Sequence, residues 1–192
     1  MEETVLSPIP KGCTPLPEPW HHLYVDPDKE RVDLQAGWDW LEKHAFWGKE
    51  RTKEVFISQV KSSYMTFSLK RRRPKDSDRS TDEQVGMAKV VGDGSIAILQ
   101  DVYVLASLQG NGLGVAFLEV VLDHQDRDSW RWMLHAGDRK DWYINRFGFD
   151  CVGEVSRGKI LDQPIWLLER DGLVVKELKR RKDAEKGAAT PF

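Results

Sequence analysis

The part of this 192-residue chain best suited to chemistry is the run from Leu99 to Gly114. Apolar residues lead up to Val104. Gln109-Gly110-Asn111-Gly112-Leu113-Gly114 then sets three glycines at alternate positions, and an apolar segment follows. Glycine has no Cβ to hold a ligand off the backbone, and it admits angles that turn N–H groups toward one point. The first N–H groups of a helix have no partner within it. A strand that runs into such a loop, with a helix starting inside it, offers amides to an anion, and a pyrophosphate is the usual guest. No Asp or Glu lies between Val102 and Leu118. A solvated helix normally takes an acid in its first turn to meet the dipole, so an empty first turn suits a helix reserved for phosphate. Leu113, Val115, Ala116, Phe117, Leu118, Val120, Val121 and Leu122 make this helix apolar nearly all round, hence buried on most sides and rigidly held. The competing reading is a plain strand–turn–helix with glycines for tight packing.

Two common phosphate loops do not fit. A Walker A loop needs Gly-Lys-Ser/Thr, and no lysine stands here. A dinucleotide loop needs G-x-G-x-x-G after the first strand of a βαβ unit, whereas this spacing is G-x-G-x-G in mid-chain. Gln109 to Gly114 instead resembles the Gln/Arg-x-x-Gly-x-Gly/Ala motif of the GNAT superfamily of N-acetyltransferases, with Val102-Tyr103-Val104 as the apolar-x-apolar strand end before it. Downstream, Tyr143-Ile144-Asn145-Arg146-Phe147-Gly148-Phe149 resembles the family helix that ends in Gly-Phe ahead of a strand. The resemblance covers about residues 84–155.

The resemblance implies acetyl-CoA as co-substrate; separately, His21, His22, His44 and His124 lack a ligand-type grouping, so no metal is expected. The pyrophosphate of acetyl-CoA would lie on the backbone of Gln109, Gly110, Asn111, Gly112, Leu113, Gly114 and Val115. Its pantetheine arm would pair with Val102, Tyr103 and Val104 like an added strand. Many relatives carry Arg or Lys inside the loop; this chain has Gln109 and Asn111, so backbone donors carry more of the binding. The implied activity is transfer of an acetyl group to a primary amine, of a small molecule or a protein, by direct attack on the thioester. A non-catalytic acyl-CoA-binding module is the alternative. Trp47, Arg51, Tyr64 and Phe67 are candidates to line the acceptor pocket, which in the family is built by the first two helices, their connecting loop and later strands.

Acyl transfer to an amine needs a base for the ammonium and an acid for the leaving thiolate. Asp101, at the strand end, is the candidate base, against a reading as a hydrogen-bonded carboxylate where strands splay. His135 is a weaker candidate working through a water. Tyr143 is the candidate acid, against a packing role. Counted back from Gly148-Phe149, the family tyrosine falls on Ile144, so Tyr143 stands one residue early, ~100° around a helix; a local bulge would restore it.

Around these residues the pattern predicts an α/β (mixed α+β) fold of GNAT type, a central mixed, mostly antiparallel sheet with helices on both faces. Residues 1–19, with five prolines, read as an extended arm; 20–170 as the domain; 171–192 as a charged tail. Helices are expected at about 33–46, capped by Asp33, at 52–62, capped by Thr52, at 112–124, and at 138–146, capped by Asp138 and closed by Gly148. Strands are expected at 21–25, 64–69, 84–91, 95–105, 131–136, 149–155 and 165–169, with 70–83 a solvated charged loop. Trp38 and Trp40 fall on opposite sides of one helix, so one of them faces away from the core.

The net charge of −2 gives no electrostatic case for nucleic acid or an anionic membrane. The basic clusters Lys70–Arg73 and Lys179–Lys182 have acids beside them. Two cysteines without CxxC spacing suggest a reducing compartment, the cytoplasm, with the nucleus open. No apolar run approaches ~20 residues. A homodimer is left open.

Overall fold

The computed structural model describes residues 5–48, 51–76, 81–93, 95–124, 131–155, 164–172, 175–177 and 180–181, with Phe46 described by its backbone alone. The strands are β1 (Thr14–Pro15), β2 (Leu23–Asp26), β3 (Met65–Arg71), β4 (Glu83–Gly92), β5 (Ile96–Val104), β6 (Arg131–Ala136), β7 (Asp150–Val155) and β8 (Ile165–Arg170). The helices are α1 (Leu34–His44), α2 (Lys53–Ser62), α3 (Leu113–Leu122) and α4 (Lys140–Phe147). The strands order as β1-β2-β3-β4-β5-β6-β8-β7 in one mostly antiparallel sheet. Antiparallel pairing is explicit for β1–β2, β2–β3, β3–β4, β6–β8 and β7–β8, and β5 runs parallel to β6. This is the mixed α/β fold that the pattern predicts.

The chain forms two units. The first takes residues 1–91 and 100–121, the second 92–99 and 122–192. In the first, both predicted caps start their helices: the Asp33 carboxylate accepts from Ala36 N–H at 2.9 Å and the Thr52 hydroxyl from Val55 N–H at 3.3 Å. Each cap satisfies a donor that the helix cannot, worth about 1 kcal/mol. The apolar stripe of α1 then meets that of α2: Val32, Trp38, Leu41, Ala45, Phe56 and Val60 form one core with Met87 of β4 and Tyr103 of β5. Register shows which side of the sheet this is. Ser68 lies opposite Met87 and Thr66 opposite Lys89, so these share the α1/α2 face, whereas Phe67, opposite Ala88, points to the other.

A buried amide ties α1 to the sheet. Gln84 Oε1 accepts from Asp33 N–H at 2.9 Å and from the Ser68 hydroxyl at 3.0 Å; its Nε2 donates to Asp33 O and to the Tyr103 hydroxyl, both at 3.3 Å. Every polar atom of the amide is used, so the group is specific without being left unsatisfied.

The proline-rich segment differs from expectation. Thr14 and Pro15 pair with Val25 and Tyr24, Leu6 bridges Pro74, and Leu16 is buried. Proline is tolerated because β1 is an edge strand, where a missing donor costs least. Nor is the basic stretch before Glu83 simply solvated. Lys70 faces Asp26 at 3.5 Å, Arg71 faces Glu83 at 3.0 Å, and Arg72 donates to Ser7 O at 2.7 Å.

In the second unit β6 pairs with β5 through Ile96–Leu99 and with β8. The Asp138 cap is not formed. Arg139 holds the N-cap position without a side-chain bond, and the chain enters α4 by shorter i−3 bonds from Lys140 and Trp142 N–H. Gly148 ends α4 at φ 65°, the left-handed closure expected of it. The expected charged tail, 171–192, lies mostly outside the described residues.

Candidate functional site

The glycine loop starts where the sequence places it. After Val104 a single 3-10 turn (Ala106–Leu108) leads into it, and α3 begins at Leu113. Gly110 and Gly112 have φ of 87° and 90°, a region that L side chains rarely adopt, so both positions require glycine. Three of the seven predicted amide donors are occupied within the chain: Gln109 N–H by Ala106 O, Leu113 N–H by the Asn111 side-chain oxygen, and Val115 N–H by Gly112 O. The N–H groups of Gly110, Asn111, Gly112 and Gly114 carry no hydrogen bond among the described residues. Four donors at the start of a buried helix, with no acid in the first turn, fit a pyrophosphate. The Gln109 side chain turns back and donates to Val104 O at 2.7 Å, bracing the loop against the strand end. One residue here was not foreseen. Trp20, from the segment before β2, lies over Gly112, its ring 3.4 Å from where a Cβ would stand. An isolated tryptophan in a proline-rich stretch carries no periodic signal to reveal this.

Asp101 marks a break in β5. It has φ 49°, the one non-glycine residue with positive φ among the described residues, and its neighbours account for the cost. Its Oδ2 accepts from Lys89 Nζ at 2.8 Å and from Arg51 at 2.9 Å; its Oδ1 accepts from the Trp47 indole N–H at 3.3 Å. The Lys89 and Asp101 side chains are each only 2% exposed and that of Arg51 21%. Burial pushes the Asp101 carboxyl up, but Lys89 and then Arg51 outweigh it and hold it below the ordinary carboxylate range. This arrangement argues against Asp101 as the general base. A base needs a free lone pair and a pKa near the working pH; this carboxylate has three donors on it and is held ionised.

Trp47 and Arg51 of the predicted acceptor pocket therefore meet at Asp101. Trp47 adjoins Trp40, which stacks flat on Tyr103 at 4.3 Å between centroids. Both tryptophans of α1 therefore meet the core, against the expectation that one faces away: Trp38 enters it, and Trp40, half-buried, packs against it through Tyr103. Tyr64 is exposed between α2 and β3. Phe67 is not a pocket residue on this side: it is fully buried on the opposite face of β3 from Lys89. Sequence reasoning missed Lys89, although a lysine inside the apolar run Val85–Val91 was a signal. A lysine there must be buried, and a buried lysine demands an anion.

In the second unit, α4 keeps regular i−4 bonds at Tyr143 and Gly148, so no bulge shows there to carry Tyr143 into the Ile144 position. The Tyr143 ring packs with Trp142, Phe147 and Phe149. Its hydroxyl is pushed up to about 12 by burial and makes no hydrogen bond among the described residues. His135 is exposed on β6. The described residues hold no group of three or more metal-ligating side chains and no helix long and apolar enough to cross a membrane.

No family model and no curated protein matches the chain in sequence. Solved structures do. A putative acetyltransferase of the GNAT family from Xanthomonas campestris pv. campestris is 26% identical, with a TM-score of 0.57 over 67% of this chain and 84% of that one. By fold, this chain is a member of the GNAT superfamily. Two further members of similar fold are Arabidopsis thaliana NAA60 in complex with acetyl-CoA (TM-score 0.61, 14% identity, 78% of this chain and 99% of that one) and the ribosomal-protein-S18-alanine N-acetyltransferase of Escherichia coli (0.58, 19%, 78% and 93%).

Proposed function

We propose that this GNAT-fold chain is an acetyl-CoA-dependent N-acetyltransferase acting on a primary amine. The observation that carries the reading is the glycine loop: four backbone N–H groups without a bond among the described residues, at the acid-free start of a buried helix. When bound, acetyl-CoA supplies an acyl carbon activated by its thioester. The N–H groups of Gly110, Asn111, Gly112 and Gly114 hold its pyrophosphate. The backbone of Val102, Tyr103 and Val104 takes the pantetheine as an added strand. The acceptor ammonium gives a proton to solvent, its nitrogen bonds the acyl carbon, the C–S bond breaks, the thiolate takes a proton from Tyr143, and the proton that the nitrogen sheds on becoming an amide restores the phenol through solvent. Tyr143 suits that step because its hydroxyl stays protonated at neutral pH.

Calorimetry with acetyl-CoA, followed by thiol release with a panel of amines, tests the reading. No heat and no thermal shift at millimolar acetyl-CoA would remove it. Heat without thiol release would instead support a non-catalytic acyl-CoA-binding module, a reading that the occupied carboxylate of Asp101 and the regular backbone of α4 favour. For Tyr143→Phe the expected result is a kcat lower by about 100-fold with the acetyl-CoA affinity little changed. An unaltered rate would leave Tyr143 a packing residue.

A further inference from the structure

Among the described residues the charge around Asp101 does not balance. Two cations, Lys89 and Arg51, face one carboxylate, and among the described residues no second acid lies within ion-pair reach of either. Lys89 Nζ has one hydrogen-bond acceptor for its three protons, and Arg51 spends one guanidinium nitrogen on Asp101 and leaves the other two unbonded among the described residues. An excess cation this deeply placed is costly unless something pairs it. Arg51 is the more exposed of the two, so the unmatched donors are reached from its side.

We infer that the acceptor amine also carries a carboxylate, and that Arg51, backed by Lys89, binds it. The inference rests on the acyl-transfer reading and adds the class of acceptor to it. A guanidinium is flat and offers parallel N–H groups matched to a carboxylate. The excess among the described residues is one positive charge, which one carboxylate cancels and a phosphate dianion would overshoot. A cationic acceptor without an anion would add to the imbalance. Trp47, which reaches Asp101 and adjoins Trp40, gives this cluster an apolar neighbour, which strengthens a pair formed against it. The amine gains too, because nearby cations favour its neutral, nucleophilic form, a role that Asp101 cannot fill as a base.

The test is steady-state acetylation of free amino acids beside their carboxamides, with peptides beginning in Asp or Glu as a further arm. It is run on the whole chain, on Arg51→Met and on Arg51→Lys, and acetyl-CoA binding is measured by calorimetry on the same samples. Carboxylate acceptors should have a kcat/KM at least about tenfold above their carboxamides. Arg51→Met should raise KM for the carboxylates by about tenfold or more, affect the carboxamides far less, leave acetyl-CoA affinity in place, and so erase most of the difference; Arg51→Lys should keep part of it. Preference for the free amino acid or for the peptide supports the inference either way and identifies the source of the carboxylate. Equal use of carboxylates and carboxamides by the unaltered chain, with acetyl-CoA bound, would overturn the inference and leave acyl transfer standing. Absence of acetyl-CoA binding would overturn both.

Discussion

Asp101→Asn should lower the stability of the protein by about 3–5 kcal/mol, the cost of removing one partner from a buried ion pair. The backbone does not confound the change, because asparagine tolerates the left-handed angle held at φ 49°. What is lost is the charge opposite Lys89, which is almost fully buried. Urea unfolding gives the value as a shift in midpoint at constant slope. Two companion results separate charge from packing. The first is pH dependence. The Asp101 carboxyl is held below its ordinary value in the folded state, so the stability it contributes is fully present above the unfolded value of about 3.9 and is lost as pH falls through the lower folded value. The gap between the unaltered chain and Asp101→Asn should therefore be constant from pH 7 to about 5 and close only in stronger acid. The second is Asp101→Asn combined with Lys89→Met. With both charges gone, stability should return most of the way, since replacing a buried pair with apolar groups is often neutral. A single variant within about 1 kcal/mol of the unaltered chain would mean that the pair is not desolvated.

The cluster also shows where reading the sequence stops. The glycine spacing, the missing acids after Val102 and the apolar helix are local facts, and each predicts its own structure; the loop, α3 and both caps at Asp33 and Thr52 follow from them. Strand positions likewise follow from alternation. Which face a strand residue takes does not, because it depends on register with a distant partner. Phe67 reads as a pocket residue until its pairing with Ala88 sets it on the face away from Lys89. Asp101 and Lys89 are 12 positions apart on neighbouring strands, and that separation alone does not say that both meet Trp47 and Arg51. Trp20 belongs to the same class: its contact with Gly112 crosses 92 positions and leaves no periodic trace. Asp138 fails for a different reason. It is a good capping residue by type, but the short i−3 bonds entering α4 move the cap to Arg139.

Gly112→Val should weaken acetyl-CoA binding by at least about 100-fold while leaving a folded protein. The backbone at Gly112 has φ 90°, and a β-branched residue there costs about 1–3 kcal/mol if the angle is kept. The added Cβ would meet only the Trp20 ring, at 3.4 and 3.7 Å, ordinary contact distances. Among the described residues only that ring lies within 4 Å of the added Cβ, and the strain is relieved by rotating the peptide. That rotation turns away the N–H groups of Gly112 and its neighbours, which the proposal assigns to the pyrophosphate. Hydrogen bonds to a charged group contribute about 1.5–3 kcal/mol each, so losing two accounts for the expected factor. Gly148→Ala is the matched control. It too sits at positive φ, 65°, with open space around its missing Cβ, so it should lose about 1–2 kcal/mol of stability and bind acetyl-CoA as before. Calorimetry on the two variants, with unfolding midpoints alongside, separates backbone strain from ligand contact. If Gly112→Val binds acetyl-CoA as tightly as the unaltered chain, the amides of this loop hold no phosphate.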